Sequence, residues 1–142
     1  MRIDYIKDLS GITEDMLPGF FVGWQNPPSP ATHLKILKNS YCAFVAIDVE
    51  LNKTVGFINA VSDGVLAAYI PLLEVLPEYQ GRGIGAKLVE HMLKELDGLY
   101  MIDICHDKEL TGFYAKFGAH PSSASIFRNF AAQKACGGCP PF

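Results

Sequence analysis

Apolar residues along this chain follow two rhythms. Five short runs rich in Val, Ile, Tyr or Phe, at Arg2–Ile6, Tyr41–Asp48, Val55–Ser62, Val65–Leu76 and Leu99–Ile104, have the length and composition of strands. Asn52-Lys53 separates the second from the third, and Asp63-Gly64, a strong hairpin signal, separates the third from the fourth. An antiparallel three-strand meander is therefore predicted. Helical spacing appears elsewhere: Leu88, Val89, Met92, Leu93 and Leu96 mark one face of a helix over Ala86–Leu96. Ser29 followed by Pro30 reads as an N-cap and a first-turn proline, opening a helix that turns Leu34, Leu37 and Ile36 inward and ends near Asn39. A short helix is expected over Gly11–Leu17, and another over Asp107–Phe117 that stops at Gly118. Short strands are expected at Ala119–Pro121 and Ser125–Arg128. The order predicts an α+β fold with a mixed, mainly antiparallel sheet flanked by helices, in which Val65–Leu76 and Leu99–Ile104, joined through one helix, are parallel neighbours.

Composition narrows the class without changing this plan. At 142 residues, 49% of them apolar, the chain can bury one ordinary core, so residues 1–134 are expected to form one domain and 135–142 a short flexible tail. A net charge of −3 with scattered Lys and Arg leaves no footprint for nucleic acid or an anionic membrane. No run of 18 apolar residues is present, and the alternating start Met1–Ile6 reads as a strand, not a signal peptide. The expectation is a cytoplasmic protein. Cys42 and Cys105 lie in apolar runs and read as buried thiols. Cys136 and Cys139 have knuckle spacing but lack a second ligand pair, so no metal site is expected.

The candidate chemistry sits at Gln80-Gly81-Arg82-Gly83-Ile84-Gly85-Ala86, between a strand-like run and a helix. Glycines at alternate positions leave backbone N–H groups uncovered, and the following helix points its positive dipole end at the same spot, a build suited to phosphate or pyrophosphate. A Walker A loop is excluded, because Lys87 is followed by Leu88 with no hydroxyl for Mg²⁺. Gly81, Gly83 and Ala86 also match a dinucleotide fingerprint, with Asp103 near the place of a ribose-binding acid, but that fold needs repeated βαβ units and this chain has one, preceded by a meander.

A third reading accounts for more of the chain. Val75-Leu76-Pro77-Glu78-Tyr79-Gln80-Gly81-Arg82-Gly83-Ile84-Gly85 resembles the acyl-CoA-binding motif of the GCN5-related N-acetyltransferases, the GNAT family, with its Q/R-x-x-G-x-G/A pattern. Phe113-Tyr114-Ala115-Lys116-Phe117-Gly118-Ala119 resembles the family's second signature, with Ala119 in place of the last Phe. The resemblance implies a sheet whose two central parallel strands splay apart to hold acyl-CoA, and acetyl transfer from acetyl-CoA to an amine without a covalent enzyme intermediate. It implies that Gln80 to Ala86 (Gln80, Gly81, Arg82, Gly83, Ile84, Gly85, Ala86) hold the pyrophosphate, that the backbone of Leu73, Glu74 and Val75 pairs with the pantetheine arm, and that Asp107 either touches that arm or caps its helix.

Tyr114 occupies the position of the family's thiolate-protonating tyrosine. The general base is less defined: family members that acetylate histones carry Glu where this chain has Tyr69, and Glu74 is the nearest carboxylate on the strand. Strict alternation would put Tyr69 and Glu74 on opposite faces, so only a bulge would let both reach substrate. Trp24, and more weakly Asn59 and Asp63, are expected near the acceptor pocket. His91 reads as solvated, His106 as close to the cleft, and His33 and His120 belong to no constellation. The expected partner is a small-molecule or peptide amine, with no nucleic acid and no membrane. Dimers are frequent in the family, so a homodimer is among the expected assemblies. The same fold used as a non-catalytic acyl-CoA-binding module is the alternative.

Overall fold

The computed structural model describes residues 1–135; Cys136, Cys139 and the tail they belong to lie outside that range. Five strands, β1 (Ile3–Ile6), β2 (Cys42–Asp48), β3 (Lys53–Ser62), β4 (Ala67–Val75) and β5 (Met101–Asp103), form one sheet in sequential order. β1 to β4 pair antiparallel, and β5 joins β4 in parallel through the crossover helix α2 (Ile84–Glu95). This is the mixed sheet that the alternation of runs predicts.

All seven residues of β2 are buried, because helices cover the sheet on both faces. α2 packs on one face, where Leu88 and Ile84 approach so closely that a Cβ at Gly56 of β3 would come within 3.2–3.3 Å of them. α1 (Pro30–Lys38) packs on the other, bringing His33 against Phe57, the next residue of β3. Alternation along β3 thus divides the core into two layers. The N-terminus of α1 is built as the sequence predicts: Pro30 opens the helix and the Ser29 Oγ accepts from the Thr32 N–H at 3.1 Å.

Several expectations are corrected. Residues 63–66 form a four-residue connection, not a two-residue hairpin, and the Asp63 carboxylate holds it by accepting the N–H groups of Val65, Leu66 and Ala67. Asp63 is therefore a turn residue. Gly11–Leu17 yields two 3-10 turns, Leu9–Gly11 and Glu14–Met16, and Asp107–Phe117 becomes a 3-10 turn, Lys108–Leu110, running into a short α3 (Thr111–Ala115). Neither Ala119–Pro121 nor Ser125–Arg128 forms a strand; the segment is exposed and has no strand beside it to pair with. His91 is half-buried rather than solvated, its ring 5.4 Å from Phe44 and 5.2 Å from Tyr5. Cys105 is exposed, because β5 ends at Asp103 before reaching it.

Candidate active site

β4 and β5 pair only from Ala67 to Tyr69 against Met101 to Asp103. Beyond that point they diverge, and among the described residues the β5-facing backbone of Leu72, Leu73, Glu74 and Val75 has no strand partner. The divergence coincides with a β-bulge. Asn59 opposes Leu72 and Val61 opposes Tyr69, so Ile70 and Pro71 of β4 face Ala60 alone. Proline cannot donate to a ladder and is accommodated where regular pairing is interrupted. The extra residue shifts the phase of the strand. Glu74 pairs with Phe57 and Tyr69 with Val61, two residues on one face of β3, so both side chains project to the same side. The condition under which Tyr69 and Glu74 share a face is met.

A cleft of about 630 Å³ opens at the divergence, running from Pro77 and Gln80 past Leu73, Glu74 and Val75 to Cys105, His106 and Tyr114. The glycine loop lies at one end. Gly81 (φ 76°) and Gly83 (φ 82°) are left-handed, and Gly83 is the N-cap of α2 with no side chain capping the first turn. The leading N–H groups of a helix have no intrahelical partner, so those at Ile84, Gly85 and Ala86 are available to an anion. Ile84 serves the loop through its backbone alone, since its side chain is buried in the core. Space at Gly83 is open, so Gly83→Ala is expected to act through backbone strain, costing about 1–2 kcal/mol, read by urea unfolding.

The loop is tied down from below. The buried Tyr79 hydroxyl donates to Asp48 Oδ2 at 2.7 Å, a contact that holds the Asp48 carboxyl below its usual range. Gln80 Nε2 donates to the Val75 carbonyl at 3.0 Å. Arg82 folds back on its own loop, donating to the Glu78 carbonyl at 3.3 Å with its guanidinium 5.6 Å from the Tyr79 ring centre.

Tyr114 is brought to the cleft by α3. It is 7% exposed, its ring 4.7 Å from His106 and 4.9 Å from Phe113, and burial pushes its phenol above the ordinary value. Among the described residues nothing is hydrogen-bonded to its hydroxyl. Asp107, also in the cleft wall, precedes the 3-10 turn, but its side chain makes no capping bond.

The cleft is bounded as well by Val22, Trp24, Ile126 and Arg128. Trp24 is thus part of the cleft wall. Asn59 is not: it is buried in β3, where its Nδ2 donates to Ser40 Oγ at 3.0 Å. Tyr69 is also absent from the cleft wall, although it neighbours Cys105, which lines the cleft; burial first and then Cys105 raise its phenol.

Glu74 is engaged by main chain. Its Oε1 accepts the Phe21 N–H at 2.8 Å and its Oε2 the Val22 N–H at 3.3 Å. Phe21 is left-handed at φ 62°, a conformation that costs a residue with a side chain about 1–2 kcal/mol. Its ring is packed 4.9 Å from both Trp24 and His33. Sequence reading missed these contacts, and the Tyr79–Asp48 pair, because each joins residues far apart in the chain. Among the described residues no group of three His, Cys, Asp or Glu side chains stands where it could hold a metal ion, and no helix is long and apolar enough to cross a membrane.

Comparison with known proteins agrees with this geometry. Residues 9–119 match the model of the Acetyltransferase (GNAT) family. The crystal structure of a candidate acetyltransferase from Deinococcus radiodurans R1 superposes with a TM-score of 0.90 at 39% identity, over 93% of this chain and 92% of that one. A GNAT-family acetyltransferase protein from Streptococcus pneumoniae TIGR4 superposes at 0.73 with 27% identity, over 90% and 98%. An uncharacterized N-acetyltransferase, ycf52, from Gracilaria tenuistipitata var. liui is 29% identical over 102 residues, which is 68% of this chain. The matched region spans 55% of that relative's length. With the splayed strands and Tyr114 in one cleft, Gln80 at its wall leading into the glycine loop, and the family match running through all of them, this chain belongs to the GNAT acetyltransferase family.

Proposed function

We propose that the protein is an N-acetyltransferase that moves the acetyl group of acetyl-CoA directly to a primary amine. The observation that carries the reading is Tyr114, a buried phenol with no hydrogen-bond partner among the described residues, lining the cleft opened by the splayed strands. The chain's groups fit the donor in kind. The uncapped first turn of α2 offers N–H groups to the pyrophosphate, and the β5-facing backbone of Leu73 to Val75, which has no strand partner among the described residues and of which Gln80 engages only the Val75 carbonyl, offers a strand edge to the two amides of the pantetheine arm. The amine nitrogen attacks the thioester carbonyl carbon, the C–S bond breaks, and Tyr114 gives its proton to the departing thiolate. The proton lost by the amine leaves to water at the open mouth, and solvent restores that of Tyr114.

The test is an acetyl-CoA-dependent thiol-release screen over amines and peptides. Each amino acid should be paired with its amide, because Arg128 makes no ion pair among the described residues and would favour acceptors that carry a negative group. Thiol release that depends on an added amine supports the transferase. Acetyl-CoA binding with no release for any amine favours the non-catalytic binding module.

A further inference from the structure

We infer that Glu74 is a positioning residue, a latch that shapes the acceptor wall of the cleft, and that it does not take the amine proton. The inference rests on the transferase reading for the identity of the acceptor, and on geometry alone for the latch. Residues 19–24 carry three left-handed positions, Gly19 at φ 89°, Phe21 at φ 62° and Gly23 at φ 84°. A loop with phenylalanine in that region does not hold its shape by local preference, so contacts from outside must fix it.

Two are present. The Phe21 ring is buried among Trp24, His33 and Phe57, and the two carboxylate oxygens of Glu74 accept the consecutive N–H groups of Phe21 and Val22. These donors have no other partner among the described residues. They reach Glu74 because the bulge at Ile70–Pro71 sets the residue on the face of Phe57. The loop then delivers Val22 and Trp24 to the cleft wall. Glu74 lines the cleft, but each of its oxygens accepts a main-chain N–H, so the loop sets the orientation of the carboxylate.

Glu74→Gln and Glu74→Ala separate the roles. Gln keeps one acceptor oxygen and presents an NH₂ to the second amide; Ala keeps neither. With a latch, the acceptor KM rises in the order wild type, Gln, Ala, reaching about tenfold or more for Ala. The acetyl-CoA KM and the pH profile of kcat stay as in wild type. Amide hydrogen exchange at Phe21 and Val22 accelerates in the same order. The chain's only tryptophan, Trp24, reports the loop by a red-shifted emission. Equal loss of kcat in both variants, with disappearance of the acidic limb of the profile and unchanged exchange at Phe21 and Val22, would overturn the latch in favour of a base. Should Ala fail to fold, the Gln variant carries the same comparison. If the wild type acetylates no amine, the transferase reading falls, while exchange at Phe21 and Val22 still decides the latch: faster in the variants upholds it, unchanged refutes it.

Discussion

Tyr114→Phe is expected to lower kcat about 100-fold, the lower end of what a positioned general acid contributes, while acetyl-CoA KM changes little. The substitution removes one oxygen and keeps the ring against His106 and Phe113, so the thermal midpoint should move by no more than a few degrees. The pH dependence sharpens the test. Burial raises the Tyr114 phenol above the ordinary tyrosine value, so the acid form is fully present at neutral pH and is lost only in the strongly alkaline range. Wild-type kcat should therefore hold through neutral and mildly alkaline pH and fall beyond it, whereas the Phe variant should lack that alkaline limb. A variant with wild-type turnover would show that the thiolate leaves without an acid from this position.

The second large effect is on stability. His33 is 1% exposed, both ring nitrogens lack a hydrogen-bond partner among the described residues, and the rings around it are Phe20, Phe21 and Phe57 at 5.3, 4.9 and 4.3 Å. With no carboxylate to balance a charge, burial pushes its pKa down to about 4. The unfolded chain takes up the proton near the ordinary value of 6.5, so it binds more protons than the folded state between the two values. Stability is full above about pH 6.5 and is lost as pH falls through 4, by about 3 kcal/mol in all. Urea unfolding at pH 7.5 and 4.5 should show most of that loss in the wild type, and His33→Leu should show markedly less. Equal losses in the two proteins would place the acid sensitivity elsewhere.

His33 also marks where sequence reading stops. Helical spacing beside Leu34 and Leu37 is enough to turn it inward, but its neutral, unpartnered state depends on Phe20, Phe21 and Phe57, which only the folded chain assembles. What the sequence made legible is what neighbouring residues settle: the Ser29-Pro30 helix start, the glycine loop opening α2, the parallel return to β5, and Tyr114 beside Phe113. Registers were not legible. The bulge at Ile70–Pro71 exists only relative to β3, and without it the faces of Tyr69 and Glu74 come out opposed. Asn59 was misplaced for a related reason: it shares the β3 face of Phe57, but the chain just beyond α1 covers it, where Ser40 accepts from its Nδ2. The strand-like pattern of Ser125–Arg128 found no neighbour, because the sheet ends at β5.

Pro71 stands where β4 and β5 part. A parallel pair of longer strands would ordinarily zip to its end, burying its own hydrogen bonds and leaving nothing between them. A bulge accentuates the local twist and turns the second half of β4 out of line with β5. The seam is thereby stopped partway. The three pairs from Ala67 to Tyr69 hold the two strands together, and Leu72 to Val75 stay an edge with no strand partner among the described residues, left for the pantetheine arm of the proposed donor to complete.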